Sequence, residues 1–435
     1  MYSFYEFFAG GGMAREGLNK TGQNWECLFA NDIDKKKAES YLKYWIPEQA
    51  HLLHETKADT PTGTDNKSKI RKIGHLGIGS VADVTPRDLG DGRADLAWAS
   101  FPCQDLSLAG SGAGLSGHRS GTFIPFWKLI KALRTEGRPP KLVVLENVVG
   151  ALTAGKGQDF VTLGDMLATT DYRFGAVVIN AVHWVPQSRP RLFIIAVHKD
   201  VPLKEGLTSD TWSAPWHTPA LVNAYERLVN GSHATRENDA WIWWNLPDPP
   251  AEKKPYKTLS EVAWEENPEG VVWHTDAETK RLIELMNAVN QEKVRKAQKL
   301  SVENQRRVVG TVYKRMRPEG EEIDRDEKGK VIRAKVQRAE VRFDEIAGCL
   351  RTPGGGSSRQ TILIVEGDTV RSRLLSPRET ARLMGLPEDY ALPERYNDAY
   401  HLTGDGVVVD VVDFLATSIL EPLLDEQQAV EKLSA

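Results

Sequence analysis

The sequence SFYEFFAGGGMAREGL at residues 3–18 decides the fold of this chain. Residues 3–8 are apolar and aromatic enough to form a first β-strand, and a helix can begin at Met13 after the glycines. Glycines let the backbone approach a ligand, and the first turn of a helix offers free N–H groups. This order is typical of sites for nucleotide-like ligands, although a glycine cluster alone is equally consistent with a simple tight turn.

Acidic residues follow the next strands of the predicted α/β fold. Residues 25–30 form a second strand, and Asp32 lies about 20 positions after the glycines, where a ribose diol is usually bound. Ile33 can then lie against an adenine face or pack in the core. A third strand end is predicted at residues 81–84, where Asp83 either binds an exocyclic amine or is a turn residue.

A cysteine follows the strand predicted at residues 94–99. Pro102 ends this strand, because it has no N–H to donate to a neighbouring strand, and Cys103 comes directly after it. Open α/β sheets bind ligands at the carboxyl ends of their strands, so this thiol is a candidate nucleophile. The glycine-rich residues 108–114 predict a mobile lid over it. The alternative is a buried, inert cysteine.

Further charged residues are predicted at the same edge of the sheet. Glu146 ends the β-branched strand predicted at residues 141–145, and a carboxyl group near a thiol suits covalent, acid-assisted catalysis. Arg189 and Arg191 lie two positions apart, and therefore on one face of an extended segment. Such a pair either holds an anionic or carbonyl-bearing substrate or is simply solvated.

The composition is that of a water-soluble globular protein of two or three domains, with 435 residues, 40% of them apolar and 27% charged. No apolar run is long enough to span a membrane and the N-terminus has no secretory signal, which predicts a cytoplasmic protein. The three cysteines predict neither a disulfide framework nor a metal site. The net charge of −4 does not indicate a nucleic-acid partner, but the basic excess between Lys293 and Arg342 either binds phosphates or forms a solvated surface.

The pattern changes after Val201, where proline, tryptophan and polar residues mix. The densest aromatic cluster, Trp241-Ile242-Trp243-Trp244, is expected in the small core of a second domain. Helices are predicted over residues 275–300 and 409–420, and another begins after Ser376 as its N-cap.

Taken in order, these segments resemble the motifs of bacterial DNA (cytosine-5)-methyltransferases. The resemblance runs from residue 3 to about residue 420, with a gap over the variable middle. Two positions depart from the family pattern, because Met13 stands where a glycine is common and Asp405 stands where the last motif usually has Asn. The matching segments are Phe8-Ala9-Gly10-Gly11-Gly12, Pro102-Cys103-Gln104, Glu146-Asn147-Val148, Gln187-Ser188-Arg189-Pro190-Arg191, residues 378–385 and Gly404-Asp405-Gly406-Val407-Val408.

The resemblance implies a Rossmann-like, S-adenosylmethionine-dependent catalytic domain at residues 1–198 and a smaller, mixed target-recognition domain at 199–370. Residues 371–435 would carry the later motifs, with 404–420 returning to the catalytic domain. The implied reaction methylates carbon 5 of a flipped-out cytosine in a specific double-stranded DNA sequence. Methylation of RNA by the same chemistry is the alternative.

The resemblance also implies a role for each predicted catalytic residue. The Cys103 thiolate would attack C6 of cytosine and make C5 electron-rich. Glu146 would bind the N3 edge and the exocyclic amine and donate a proton, and Arg191 with Arg189 would hold the carbonyl at C2 and the loop.

The resemblance implies a wider set of contacts, to S-adenosylmethionine and to duplex DNA, without a metal. The implied enzyme acts either beside a separate cognate restriction endonuclease or as a solitary bacterial methylase, and a monomeric state and no membrane are also expected. The predicted cofactor-binding residues are Phe8, Ala9, Gly10, Gly12, Asp32, Ile33, Asp83, Pro102, Asp405 and Val407, and the predicted DNA-binding residues are Gln104, Ser107, Arg119, Arg351, Thr352 and Arg359.

Two other functions use the same residues differently. A cysteine hydrolase would need a histidine base, for which His183 is the nearest candidate, but no triad pattern accompanies it. A non-catalytic DNA-binding relative would not need Cys103 and Glu146, which are both present.

Overall fold

The computed structural model describes residues 1–55, 70–102, 122–325, 331–351 and 359–426. Most of the chain's strands belong to a large central sheet and a smaller second one. The strands are β1 Tyr2–Phe7, β2 Trp25–Asp32, β3 Arg71–Ile73, β4 Leu76–Ile78, β5 Leu96–Ser100, β6 Leu142–Val148, β7 Tyr172–Asn180, β8 Pro190–His198, β9 Thr208–Ser209, β10 Trp243–Trp244, β11 Val308–Arg317, β12 Glu322–Arg325, β13 Val331–Arg333, β14 Val336–Arg342, β15 Thr361–Glu366 and β16 Thr369–Leu374.

Helices connect these strands and cover the sheets. Short 3₁₀ helices occur as well, among them Val81–Asp83 and Ala181–His183. The α-helices are α1 Met13–Lys20, α2 Lys35–Trp45, α3 Phe123–Thr135, α4 Gln158–Ala168, α5 Pro219–Gly231, α6 His233–Glu237, α7 Leu259–Val262, α8 Asp276–Glu284, α9 Ala288–Asn304, α10 Pro377–Arg382, α11 Tyr396–Asp405 and α12 Val409–Leu415.

The central sheet has eight strands in the order β3-β4-β2-β1-β5-β6-β8-β7. Strands β4, β2, β1, β5 and β6 run parallel to one another. Strand β3 pairs antiparallel with β4, β8 pairs antiparallel with β6, and β7 pairs antiparallel with β8. The carboxyl ends of five parallel strands therefore meet at one edge of the sheet. This is the edge at which open α/β sheets bind their ligands.

The central sheet is buried on both faces. Along β5, Leu96 and Trp98 belong to one hydrophobic core, while Ala97 and Ala99 belong to the other. Successive side chains of a strand point to opposite faces, so a strand between two helical layers reads as a continuous apolar run. This explains why the sequence between residues 94 and 99 predicted a buried strand.

A second sheet of four antiparallel strands, in the order β14-β11-β15-β16, lies in the later part of the chain. Leu282 and Met286 from the α8 region and Val294 of α9 pack against it. One helix was expected over 275–300, but the structure has two, because Asn287 caps α9 by accepting a hydrogen bond from the N–H of Asn290.

Two further sequence predictions differ from the structure. Residues 81–83 form a 3₁₀ helix rather than a strand end, because the Ser80 side chain accepts a hydrogen bond from the N–H of Ala82. The aromatic cluster does not build a separate core. The N–H of Ile242 donates to the carbonyl of Phe174 in β7 at 2.7 Å, and the indole N–H of Trp244 donates to the carbonyl of Ile195 in β8, so this segment packs on the central sheet.

The C-terminal segment packs on the first helix. Helix α12 crosses α1 at Gly17, where a Cβ atom would lie 2.4 Å from Cβ of Val412. Helix α10 begins after Ser376, whose side chain accepts from the N–H of Glu379, as predicted. In the described part of the chain, no helix is long and apolar enough to cross a membrane.

The close approach of α1 and α12 gives a stability prediction. We expect Gly17→Ala to lower the free energy of unfolding by about 1–3 kcal/mol, because the new methyl group meets Val412 and the Val409 carbonyl. Gly92→Ala is the matched control, since no atom lies within 4 Å of its added Cβ. Urea unfolding measures both variants, and equal stabilities would contradict the tight contact.

Candidate active site

A cavity of about 720 Å³ opens at the carboxyl ends of β1, β2, β5 and β6. Its walls come from the glycine turn, these strand ends, residues 349–351 and residues 402–407. Segments that are far apart in the sequence therefore meet in one site. The predicted site residues that line it are Phe8, Ala9, Gly10, Asp32, Ile33, Pro102, Glu146, Arg191, Arg351, Asp405 and Val407.

The glycine turn has the backbone conformation that its sequence requires. Gly10 and Gly12 have φ angles of 56° and 81°, and Gly12 is the N-cap of α1. Gly12 does not line the cavity, because its Cα faces the ring of Trp45, 2.4 Å from an added Cβ. Met13 packs under Gly406, where an added Cβ would lie 2.2 Å from the Met13 sulfur, so this departure from the family pattern is matched by a glycine opposite.

Asp32 and Ile33 form the wall beyond this turn. The carboxylate of Asp32 accepts hydrogen bonds from the N–H groups of Gly10 and Asp34, each at 2.7 Å. Burial raises the pKa of Asp32, and Lys37 opposes the shift. The Ile33 side chain is 70% exposed at the cavity, which excludes the core-packing alternative. Asp83 does not line this cavity. Residues 79–81, just before it in the sequence, line the cavity instead.

Glu146 lies at the other end of the cavity. Its side chain is almost fully buried, and its Oε1 lies 3.1 Å from Nε of Arg191. Burial raises the pKa of Glu146, although Arg191, Arg189 and a hydrogen bond to Ser100 lower it. A buried carboxyl with a raised pKa can hold a proton and donate it, as general acid catalysis requires.

The two predicted arginines have different environments. Arg191 lines the cavity, whereas Arg189 does not and is 1% exposed. The guanidinium of Arg189 donates to the carbonyls of Leu350, Gly404 and Gly406 at 3.2, 2.8 and 2.6 Å. Burial, together with repulsion by Arg191, lowers its pKa to about 10. Arg189 therefore clamps two segments of the cavity wall, and its contact with the substrate stays a prediction.

Several predicted residues lie outside the cavity wall or outside the described residues. Arg359 is exposed over the Tyr396 ring at 5.7 Å and does not line the cavity. His183, the base of the alternative hydrolase, contacts Trp184 and Trp216 and is also outside the cavity wall. Cys103, Gln104, Ser107, Arg119 and Thr352 lie outside the described residues.

The cavity wall contains three residues that sequence reasoning missed. Glu6 is buried, and its Oε2 has no hydrogen-bond partner in the described part of the chain. Burial raises its pKa to about 8. The sequence did contain a signal for Glu6, which is the one charged residue in an aromatic strand. Lys37 is the second missed residue, and as one of three successive lysines it had no distinguishing signal.

The third missed residue is Cys349. Its sulfur lies 3.4 Å from Nη1 of Arg189 and 3.7 Å from Nη2 of Arg191. Although burial acts in the opposite direction, these guanidiniums lower the pKa of the Cys349 thiol. Cys349 lies 160 positions after Arg189 and 158 after Arg191, and only the fold brings it to the two arginines.

A smaller cavity of about 290 Å³ adjoins the first and shares Cys349 and Arg351 with it. Lys293, Arg315 and Arg342 also line it, so part of the basic segment lies beside the main cavity. In the described part of the chain, no group of three or more His, Cys, Asp or Glu side chains could hold a metal ion.

Known proteins with a similar sequence span the whole chain. The type II methyltransferase M.BanI of Aneurinibacillus aneurinilyticus is 24% identical, over 99% of this chain and 98% of that protein. The type II methyltransferase M.HhaI of Haemophilus parahaemolyticus is 23% identical, over 96% and 93%.

Solved structures have the same fold. The S. pombe Dnmt2 methyltransferase has a TM-score of 0.52 at 13% identity, over 97% of this chain and 99% of that one. The Entamoeba histolytica methyltransferase EhMeth has a TM-score of 0.53 at 13% identity, over 98% of each chain. These likenesses confirm the predicted Rossmann-like methyltransferase fold.

A family model that covers almost the whole chain identifies the family of this protein. The family model of the C-5 cytosine-specific DNA methylases matches residues 2–421, which include all the motifs quoted above. The chain therefore belongs to the C-5 cytosine-specific DNA methylases, and it transfers a methyl group to carbon 5 of cytosine in DNA.

Proposed function

We propose that this methylase uses S-adenosylmethionine as its methyl donor and the Glu146–Arg191 pair to bind a flipped-out cytosine. One observation carries the proposal: the Glu146–Arg191 pair lines the same cavity as Asp32 and Ile33. A methyl donor and a pyrimidine must meet within one enclosed space, because carbon 5 has to reach the donor's methyl group.

The cofactor end of the cavity fits S-adenosylmethionine. The buried carboxylate of Asp32 suits a ribose diol, and the exposed Ile33 offers an aliphatic face to the adenine ring. Glu6 lines the same cavity, its Oε2 has no hydrogen-bond partner among the described residues, and a cationic ligand group would stabilise its charged form. When bound, the cofactor supplies an electrophilic methyl group.

The cytosine end fits a base that acquires charge during the reaction. Glu146, with its raised pKa, donates a proton to N3, and Arg191 holds both Glu146 and the carbonyl at C2. The Cys103 thiolate adds to C6, which makes C5 nucleophilic enough to take the methyl group. Loss of the C5 proton and expulsion of the thiolate then restore the aromatic ring.

The DNA duplex is proposed to lie across the smaller, basic cavity. Lys293, Arg315 and Arg351 provide positive charge beside the entrance through which the extruded base must pass. We propose a cytoplasmic monomer that acts beside a separate restriction endonuclease, as suits a relative of the type II methyltransferases M.BanI and M.HhaI.

A covalent trap tests the role of Cys103. DNA containing 5-fluorocytosine cannot lose its C5 substituent as a proton, so the wild-type protein should remain bonded to it after methyl transfer. We expect Cys103→Ser to abolish this complex in a denaturing gel, while Cys27→Ala, a change in the buried core, retains it. A trapped complex with Cys103→Ser would contradict the assignment.

The acid role of Glu146 predicts both a rate and a pH dependence. We expect Glu146→Gln to slow methyl transfer by roughly 10²-fold or more, because the amide cannot donate the proton. In the wild type, single-turnover rates should fall as the pH rises through the raised pKa of Glu146, since the protonated form is lost. Glu136→Gln, at an exposed ion pair with Arg138, is the control, and equal rates in the two variants would exclude the acid role.

The proposed path of the DNA predicts a salt dependence. We expect Arg351→Ala to weaken DNA binding and to lower the slope of log K against log salt by about 1, because one phosphate contact is lost. Arg134→Ala removes the same charge at the opposite edge of the sheet, where Arg134 pairs with Asp171. Fluorescence anisotropy at several salt concentrations measures the slopes, and identical slopes would place the DNA elsewhere.

A further inference from the structure

The family's usual asparagine is replaced by an aspartate that has a cationic partner. Nζ of Lys37 in α2 lies 2.6 Å from Oδ2 of Asp405 at the end of α11, and both residues line the main cavity. The Lys37 side chain is 15% exposed. Although burial opposes it, Asp405 and then Asp32 raise the pKa of Lys37, so the amine stays charged.

Arg189 fixes the backbone position of Asp405. Arg189 donates to the carbonyls of the two flanking residues, Gly404 and Gly406. Because Arg189 is buried, this clamp holds the backbone on both sides of Asp405, whose side chain is 39% exposed at the cavity. The ion pair is therefore a built part of the cavity wall.

Lys37 is the cation of the cofactor end. Among the described residues, the cations that line the main cavity are Lys37, Arg191 and Arg351. Arg191 is committed to Glu146, and Arg351 lies where the two cavities join. Lys37 instead lies beside the glycine turn, with its Cδ 3.9 Å from the position of a Cβ on Gly10.

We propose that Lys37 binds the α-carboxylate of the cofactor's amino-acid end and that Asp405 holds Lys37 in place for it. The inference rests on S-adenosylmethionine being the cofactor. That molecule carries one anionic group, its α-carboxylate. An asparagine amide at position 405 could donate a hydrogen bond to this group, whereas an aspartate repels it.

Lys37 supplies the hydrogen-bond donor that is lost when aspartate replaces asparagine at position 405. An ammonium has three N–H donors, so Lys37 can bond Asp405 and retain donors for the ligand. Its charge also offsets the repulsion between two carboxylates. Lys37 is thus a binding and specificity residue for the amino-acid portion of the cofactor.

The proposal is tested by measuring, without DNA, how tightly the protein binds the cofactor product and an analogue of it. The probes are S-adenosylhomocysteine and S-adenosyl-3-thiopropylamine, which lacks only the carboxylate, and calorimetry measures their Kd. We expect Lys37→Met to weaken S-adenosylhomocysteine binding about tenfold and to leave the decarboxylated probe unweakened. Lys36→Met is the matched control, because Lys36 lies in the same helix and pairs with Asp398 outside the cavity.

A second variant separates the charge from the fold. In Lys37→Met the Asp405 carboxylate loses the Lys37 ammonium and repels the ligand carboxylate, so Lys37→Met/Asp405→Asn should regain several-fold of the lost affinity. Equal weakening of both probes by Lys37→Met, or no weakening of either, would overturn the role of Lys37. A wild-type protein that binds neither probe would instead overturn the cofactor assignment, and this inference with it.

Discussion

The cavity depends on a buried arginine that has no carboxylate partner in the described part of the chain. Arg189 donates to three backbone carbonyls, from Leu350, Gly404 and Gly406, and so joins β8 to two segments more than 150 residues later. A buried charge is costly unless hydrogen bonds compensate it, and here carbonyl dipoles provide them. Because several carbonyls converge on one planar guanidinium, the two loops are held at fixed positions beside the sheet edge.

Strand pairing explains the second interaction of the site. Glu146 of β6 is directly opposite Phe193 of β8, and Arg191 is the diagonal neighbour two positions along. Diagonal neighbours on one face of an antiparallel pair are within reach of long side chains. The Glu146–Arg191 contact therefore follows from the register of the sheet. The reversal of β8 is essential, because a parallel strand would place its first residues, including Arg191, at the opposite edge of the sheet.

The sequence predicted the elements whose signals are local. The glycine turn, the strand before Pro102 and the helix after Ser376 each carry a complete pattern of apolar spacing and turn or capping residues. Arg189 and Arg191 could not be told apart, because the difference depends on loops at residues 350 and 404–406. For the same reason the pairing of Lys37 with Asp405, 368 positions away, has no signature in either segment.

Glu6 and Glu146 show how one cavity can treat two carboxyl groups differently. Burial raises the pKa of both. Glu146 lies against the Arg191 guanidinium, so its charge can be balanced within the protein. Glu6 accepts a hydrogen bond from the backbone N–H of Arg15 at 3.4 Å, and its Oε2 has no hydrogen-bond partner among the described residues. Burial dominates the pKa of Glu6 although the charge of Arg15 opposes it, whereas at Glu146 a guanidinium lies in direct contact with the carboxylate, so the two groups differ in how closely a positive charge approaches them.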